Sequence, residues 1–278
     1  MAAAPWRREE YADLLPEVPH VGWCLSRKAR PNSLSPHTHP GGWELCWIRR
    51  GTVDWWAGNE TWEVPQGSIY ITRPGELHGA THTVHEPCEL FWIQVRCGQR
   101  LVPTAVADEL KRAPRVFPGN EHITTAFWDV LREHRKDAPL RLLAARAALH
   151  RLLSVIVRAA HGSTRQPDPS PAITRALVFG SDQLEERVTV GQLAAAAGLS
   201  SSRFHARFLT ETGQTPADWL RRARLRRAKR LLATTDRPVT TIAFDLGFPT
   251  SQHFATVFRG YTGFTPTAWR NSVGSGPT

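Results

Sequence analysis

The tract from residue 193 to residue 270 repeats itself, and that repeat limits the possible folds more than any other feature of the chain. At an offset of 50 residues Phe204 matches Phe254, Phe208 matches Phe258, Gly213 matches Gly263, Pro216 matches Pro266 and Trp219 matches Trp269. One step earlier the offset is 49, pairing Leu193 with Ile242, Ala194 with Ala243 and Gly198 with Gly247. Each copy reads as a helix, a glycine turn, a second helix with a Phe-x3-Phe edge and a Gly-x-x-Pro stop. The repeat therefore predicts two helix-turn-helix units.

The residue types follow from the turn. Gly198 and Gly247 fall where the first helix of each unit must end in a left-handed cap, and Leu199 and Phe248 then pack back on it. Ser200 is placed to cap the second helix of copy one, whereas Pro249 in copy two leaves that role to Thr250 or Ser251. With the phenylalanines buried, the opposite face carries Ser202, His205, Ala206 and Leu209 in one copy and Gln252, Ala255, Thr256 and Arg259 in the other. Such small and polar faces suit a major groove. Gln252 is the best single base reader because its amide can contact adenine through two atoms, and His205 is a weaker one. Between the copies, 221–230 (RRARLRRAKR) holds seven basic residues in ten and no acid, which predicts a connecting helix with a cationic solvent face for phosphates. Charge agrees: 172–278 carries 14 basic against 7 acidic residues, while 1–171 carries 21 against 18.

The segment IAFDLGFPTSQHFATVFRGYTGFTPTAWR, Ile242 to Arg270, with RARLRRAKRLLATTDRPVTTIA ahead of it, closely resembles the signature of the AraC/XylS family of bacterial transcription regulators. The resemblance covers about 100 residues. It implies a seven-helix domain that binds double-stranded DNA through two recognition helices, coupled to an N-terminal domain that senses a small-molecule effector and forms a homodimer, with RNA polymerase as a partner of an activator. The residues expected at DNA are Ser202, Arg203, His205, Ala206, Arg222, Arg224, Arg227, Gln252, His253, Thr256 and Arg259. Ala206 and Thr256 stand where family members often have a basic residue, so base preference does not carry over.

Ahead of the repeat, short runs with period-two alternation (VGWCL, WELCWI, TVDWWA, TWEV, GSIYI, CELFWIQV) are broken by PGG, RRG, AGNE, VPQG and RPGE. Strands at this spacing predict an antiparallel β-barrel or sandwich, and the cupin resemblance below implies the barrel. Between Glu121 and His161 the period changes: Phe127, Val130 and Leu131, then Leu142, Leu149, Leu152, Leu153 and Ile156, recur at three and four, with Pro139 at the first turn of the second helix. The Leu142, Leu149, Leu153, Ile156 stripe reads either as a helix–helix seam of a dimer or as a cover for the barrel. HGSTRQPDPSP reads as a linker and NSVGSGPT as a frayed tail. The expected organisation is multidomain α+β: a cupin-like effector-binding and dimerisation domain at 15–160, a linker at 161–171, and an all-α double helix-turn-helix domain at 172–271.

The order His37-Thr-His39, Glu44, Gly51, then Gly67, Pro74-Gly75 and His78 resembles both cupin motifs. Two histidines at i and i+2 share one side of a strand, Pro-Gly-Gly resets the register so that Glu44 can return to it, and His78 follows a Pro-Gly turn. Three imidazoles and one carboxylate suit a divalent metal such as Mn, Fe, Ni or Zn. The same four residues also serve as polar contacts to an organic effector, or as strand-end groups with no ligand, and the sequence leaves these readings open. Trp47 is expected to contact the effector with them, because nine of the eleven tryptophans precede the linker and some must face the interior. Cys46, in phase with Glu44, is a candidate lining residue. His82 and His85 read as exposed loop residues.

No nucleophile–base pair, phosphate loop or dinucleotide fingerprint appears, so no catalytic residue is expected. The alternative, a metal-dependent cupin oxygenase or isomerase, rests on His37, His39, Glu44 and His78 alone and leaves the C-terminal repeat without a role. An architectural DNA binder with a purely structural barrel is the third reading. Four cysteines without CxxC spacing, no apolar leader in MAAAPWRREE and no bilayer-length apolar run predict a cytoplasmic protein without a membrane role.

Overall fold

The computed structural model describes residues 6–30, 33–98, 102–135, 137–163 and 169–273. The chain divides into two compact units, Met1–Gln166 and Pro167–Thr278. Among the described residues no helix is long and apolar enough to cross a membrane.

The first unit holds strands β1 (Trp6–Leu15), β2 (Val18–Ser26), β3 (Trp43–Gly51), β4 (Val53–Ala57), β5 (Glu60–Val64), β6 (Ser68–Thr72), β7 (His78–Ala80), β8 (Cys88–Val95) and β9 (Val116–Pro118). All six sequence-predicted strands are present. They lie in two antiparallel sheets, ordered β1-β2-β8-β3-β6-β9 and β5-β4-β7, rather than in one closed barrel. Gly51 is where the chain passes from one sheet to the other. Its φ of +87° is left-handed, and a Cβ there would stand 2.5 Å from the Pro87 carbonyl oxygen. A register shift between Ile48 and Arg50 against β8 accompanies the bend.

Strand parity sorts the large sheet into two buried faces. Trp43, Leu45 and Trp47 of β3, with Phe91, Ile93 and Val95 of β8, join a core covered by helices α1 (Thr104–Arg112), α2 (Glu121–Arg135) and α3 (Arg141–Ser163). Cys46 and Ile48, with Leu90, Trp92 and Tyr70, face the small sheet and share a second core with Val53, Trp55 and Val64. Burial on both sides explains the near-continuous apolar runs. Leu149, Leu153 and Ile156 are at most 3% exposed and belong to the first core, so the stripe covers the sheet and is not a dimer seam. Each such burial stabilises the unit by about 1.5–3 kcal/mol. Leu142 lies outside that core and is half exposed. Pro139 precedes α3 rather than opening it, in a turn where Leu140 takes a φ of +61°.

The second unit comprises α4 (Pro171–Asp182), a 3-10 turn (Leu184–Glu186), α5 (Val190–Ala197), α6 (Ser201–Thr212), α7 (Pro216–Thr234), α8 (Val239–Asp245), α9 (Ser251–Thr262) and α10 (Pro266–Val273). Of the expected linker, 161–163 extend α3 and Pro171 opens α4, while 164–168 lie outside the described residues. Of the expected tail, Asn271 to Val273 continue α10 and 274–278 lie outside. The repeat is repeated in space. Gly198 and Gly247 are left-handed at +69° and +74°, and the amides of Leu199 and Phe248 close back on the carbonyls of Ala194 and Ala243 at 3.1 and 3.0 Å. Thr250 caps α9 by accepting from the His253 amide at 3.0 Å, whereas the Ser200 side chain makes no such bond to α6. Phe208 meets Trp219 edge-on at 6.0 Å, as Phe258 meets Trp269 at 6.1 Å.

Candidate functional site

A cavity of about 520 Å³ opens between the two sheets. His37, His39, Glu44 and His78 converge on it, with ligand atoms all within 4.8 Å of one another. His37 reaches this place through an isolated antiparallel bridge to His78, with reciprocal backbone bonds of 3.0 and 3.1 Å, rather than from a continuous strand. Glu44 accepts from His39 Nε2 through one oxygen and from His78 Nε2 through the other, both at 3.2 Å. The His37 ring centroid lies 4.3 Å from that of His78 and 4.9 Å from that of His39.

The outer nitrogens are tied down. His37 Nδ1 donates to the Ser35 carbonyl at 2.7 Å and His78 Nδ1 to the Glu76 carbonyl at 2.9 Å. A carbonyl can only accept, so Nδ1 carries a proton in both rings and Nε2 points inward; His78, which donates from Nε2 to Glu44 as well, carries both protons beside the carboxylate. Burial favours the neutral form of Glu44, but hydrogen bonds from His39 and His78 outweigh it and hold the carboxyl down to about 2. Burial likewise opposes charge on His78, and the bond to Glu44 reverses the balance and raises its pKa. His37 lacks that partner, and burial lowers it.

Beyond the cluster the cavity is walled by Trp6, Trp55, Tyr70 and Trp92 and by the thiols of Cys24 and Cys46, with Arg8 and Arg30 also lining it. The Tyr70 side chain is 1% exposed, and its hydroxyl has no hydrogen-bond partner among the described residues. A buried hydroxyl without a partner is costly unless something accepts its proton. Burial raises the Cys24 thiol to about 12, so it remains protonated.

Two sequence readings are corrected here. Trp47 does not line the cavity: it is buried among the helices and its Nε1 donates to Thr124 Oγ1 at 2.9 Å. It stands three residues from Glu44, so period two already assigns it to the opposite face. His85 is not an exposed loop residue. It is 8% exposed and lines the cavity. His82 is placed in a 3-10 turn, Thr81–Thr83. Sequence reasoning missed Tyr70, whose only signal is its register opposite Cys46, and that needs the β3–β6 pairing first.

In the second unit Ser202, Arg203, His205 and Ala206 on α6, and Gln252, His253, Thr256 and Arg259 on α9, are all exposed, opposite fully buried Phe204, Phe208, Phe254 and Phe258. The connecting helix α7 departs from expectation. Arg224 is half-buried and donates to the Val188 carbonyl at 2.6 Å, Arg227 pairs with Glu185, and Lys229 is 2% exposed with its ammonium 5.0 Å from the Trp269 ring. These side chains serve the interior of the domain, so the run is not one uniform cationic face. Arg222 is part-buried and makes an interaction of its own. At 100° per residue no single solvent face of a helix can hold seven side chains in ten.

A profile described as an AraC-like ligand binding domain matches residues 21–161, and one described as a helix-turn-helix domain matches 193–272. The HTH-type transcriptional activator RhaS of Klebsiella pneumoniae (strain 342) is 32% identical over 247 residues, spanning 85% of this chain and 87% of that protein. The RhaS of Enterobacter sp. (strain 638) is 32% identical over 244 residues with the same coverage. The solved DNA-binding domain of AdpA in complex with a target DNA is 33% identical, covering 38% of this chain and 93% of that one, with a TM-score of 0.35. The relatives are activators, which are not enzymes, and their similarity favours regulation over the oxygenase or isomerase reading. A ligand-binding sheet domain, two matched helix-turn-helix units and one-third identity along most of the length leave one assignment: the chain belongs to the AraC/XylS family of DNA-binding transcription regulators.

Proposed function

We propose that this protein activates transcription in response to a small molecule bound in the cavity of the first unit, with a divalent metal held by His37, His39, Glu44 and His78. The observation that carries the reading is the cavity itself: the histidine–glutamate cluster and Tyr70, whose hydroxyl has no partner among the described residues, line the same space. The donor set fits a metal. Three imidazoles, two of them held from outside through Nδ1, and one carboxylate are the donors of a site that would keep coordination positions for a further ligand. A bound Mn, Fe, Ni or Zn would supply a Lewis-acidic site for an oxygen atom of the effector. Tyr70 donates to a second effector atom, and Trp55 and Trp92 provide faces for its body. Effector binding then shifts DNA affinity by its differential affinity for the competent arrangement of the chain.

A homodimer places two readers on one operator, and RNA polymerase is the partner of the activated form. Because the predicted seam covers the sheet, the apolar surface we assign to a second copy is the run Leu140, Leu142 and Leu143, 75, 49 and 62% exposed. On DNA, α6 and α9 enter successive major grooves about 34 Å apart.

Metal analysis of untagged protein tests the first claim. About one equivalent is expected in the wild type, with loss in both His39→Ala and Glu44→Ala. Folded wild type that takes up none of the four metals, yet still responds in a reporter assay, would reduce the cluster to direct effector contacts. For the reading face, Gln252→Ala should cost about 1–3 kcal/mol on the preferred duplex and relax preference at one base pair. Binding with unaltered preference would remove Gln252 from base reading.

A further inference from the structure

Among the described residues, the buried apolar cluster of the first helix-turn-helix unit is its own. The buried cluster of the first runs from Ile173 through Phe204 and Phe208 to Ala223 of α7 and includes no residue of α8, α9 or α10. Besides α7, a set of polar contacts joins the units. Glu185, in the 3-10 turn ahead of the first unit, accepts from Arg227 Nε of α7 at 2.7 Å through one oxygen and from Arg237 Nη1 at 2.7 Å through the other. Arg237 continues to Asp245 at the end of α8. Beside this chain Arg187 donates from Nε to the Phe244 carbonyl at 3.0 Å, and Arg270 of α10 donates to the Arg237 carbonyl at 2.5 Å. Gly247, the turn of the second unit, packs so closely on this region that a Cβ there would lie 2.9 Å from Arg224 Nη2.

We infer that Glu185, Arg237 and Asp245 are positioning residues that lock the two reading units into one body and so set the spacing of the DNA half-sites the protein accepts. One carboxylate shared by two guanidinium forks fixes direction as well as distance, which a single flexible ion pair does not. The four side chains Glu185, Arg227, Arg237 and Asp245 are each about one-third exposed, at 31, 32, 34 and 34%, so they are only partly screened by solvent. The bonds from Arg237 and Arg227 also hold the Glu185 carboxyl below its ordinary range, so the lock stays charged. Two readers on a rigid link bind cooperatively only where the spacing matches, and slack in the link widens the tolerated range. On B-DNA one inserted base pair displaces the second half-site by about 3.4 Å and rotates it by about 35°.

The test uses the full-length protein and a duplex selected by the wild type from a random pool, together with a derivative carrying one base pair inserted between the half-sites and derivatives holding one half-site each. The wild type should discriminate against the insertion by at least about tenfold. Arg237→Lys keeps the charge but not the fork, and Glu185→Gln adds to the net positive charge. Both should reduce the discrimination to about threefold or less, while single half-site affinity stays within about twofold and the melting temperature within a few degrees. Full discrimination in both folded variants would overturn the proposal. So would equal losses on half-sites and on the full duplex, because these would mean that the network only supports the fold.

Discussion

Replacing Phe258 with Ala should unfold the second unit at a temperature at which the wild type is intact. The side chain is fully buried, 5.4 Å from the Phe254 ring and 6.1 Å from Trp269, and the C-terminal turn of α9 closes over it through Thr262 Oγ1. Truncating a buried phenylalanine costs about 3–5 kcal/mol through lost transfer energy and the residual cavity. A domain of this size has a total stability of about 5–15 kcal/mol, and each kcal/mol lowers the melting temperature by about 4–8 °C. A fall of more than about 12 °C in the second unit's transition is expected by calorimetry, with loss of DNA binding and no change in the first unit's transition. Phe208→Ala should do the same to the first helix-turn-helix unit, because its surroundings are the same by repetition. A cost below about 1 kcal/mol would contradict the assignment of these rings as the load on which α6 and α9 rest.

Acid should weaken the first unit through His85. Nδ1 donates to the Glu86 carbonyl at 3.0 Å, and Nε2 accepts the Cys24 thiol at 3.6 Å. The ring is therefore neutral. Burial lowers its pKa to about 4, and the charges of Arg30 and Arg8 act in the same direction. The sign follows from linkage: the folded pKa lies below the unfolded value of about 6.5, so between the two the unfolded chain binds the proton that the folded one refuses. Stability is unaffected above pH 6.5, falls as the pH drops toward 4, and levels off below. At pH 4.5 the loss from this one group is about 2 to 3 kcal/mol. Urea unfolding at pH 7.5 and 4.5 measures it, and the difference between the two pH values should shrink by about that amount in His85→Gln. An equal pH dependence in wild type and variant would mean that His85 is protonated in the folded state.

Much of the second unit was legible because its signals are local. A left-handed glycine, a Phe-x3-Phe spacing and a Gly-x-x-Pro stop each act within one or two helical turns, and the offset of 50 shows them twice. The members of the histidine–glutamate cluster were legible from their order and the Pro-Gly turn, but the strand that i, i+2 spacing implies is absent at His37 and His39, and the isolated bridge from His37 to His78 brings the rings together instead. The edge strands were not legible. β1 reads WRREEYADLL, whose charges hide its pairing with β2, and β7 and β9 are three residues long and exist only as partners of β4 and β6.

The direction of long side chains was illegible too. An arginine stem spans several ångströms, so a run such as 221–230 announces charge without saying whether each head meets solvent, a carbonyl or a carboxylate. Folding sent Arg224 to Val188, Arg227 to Glu185 and Lys229 under Trp269. The pairing of β3 with β6 and β8 put Tyr70 and Trp92 beside Cys46, in the cavity that Glu44 also lines, and left Trp47 among the helices. Residue order thus sufficed for the two reading units, the members of the polar cluster and the family, because periodicity and turn chemistry depend on neighbours in the chain. The cavity wall, the covered leucine stripe and the arginine lock came from contacts between residues far apart in sequence, where the energy of burying or pairing a group depends on what the fold brings opposite it.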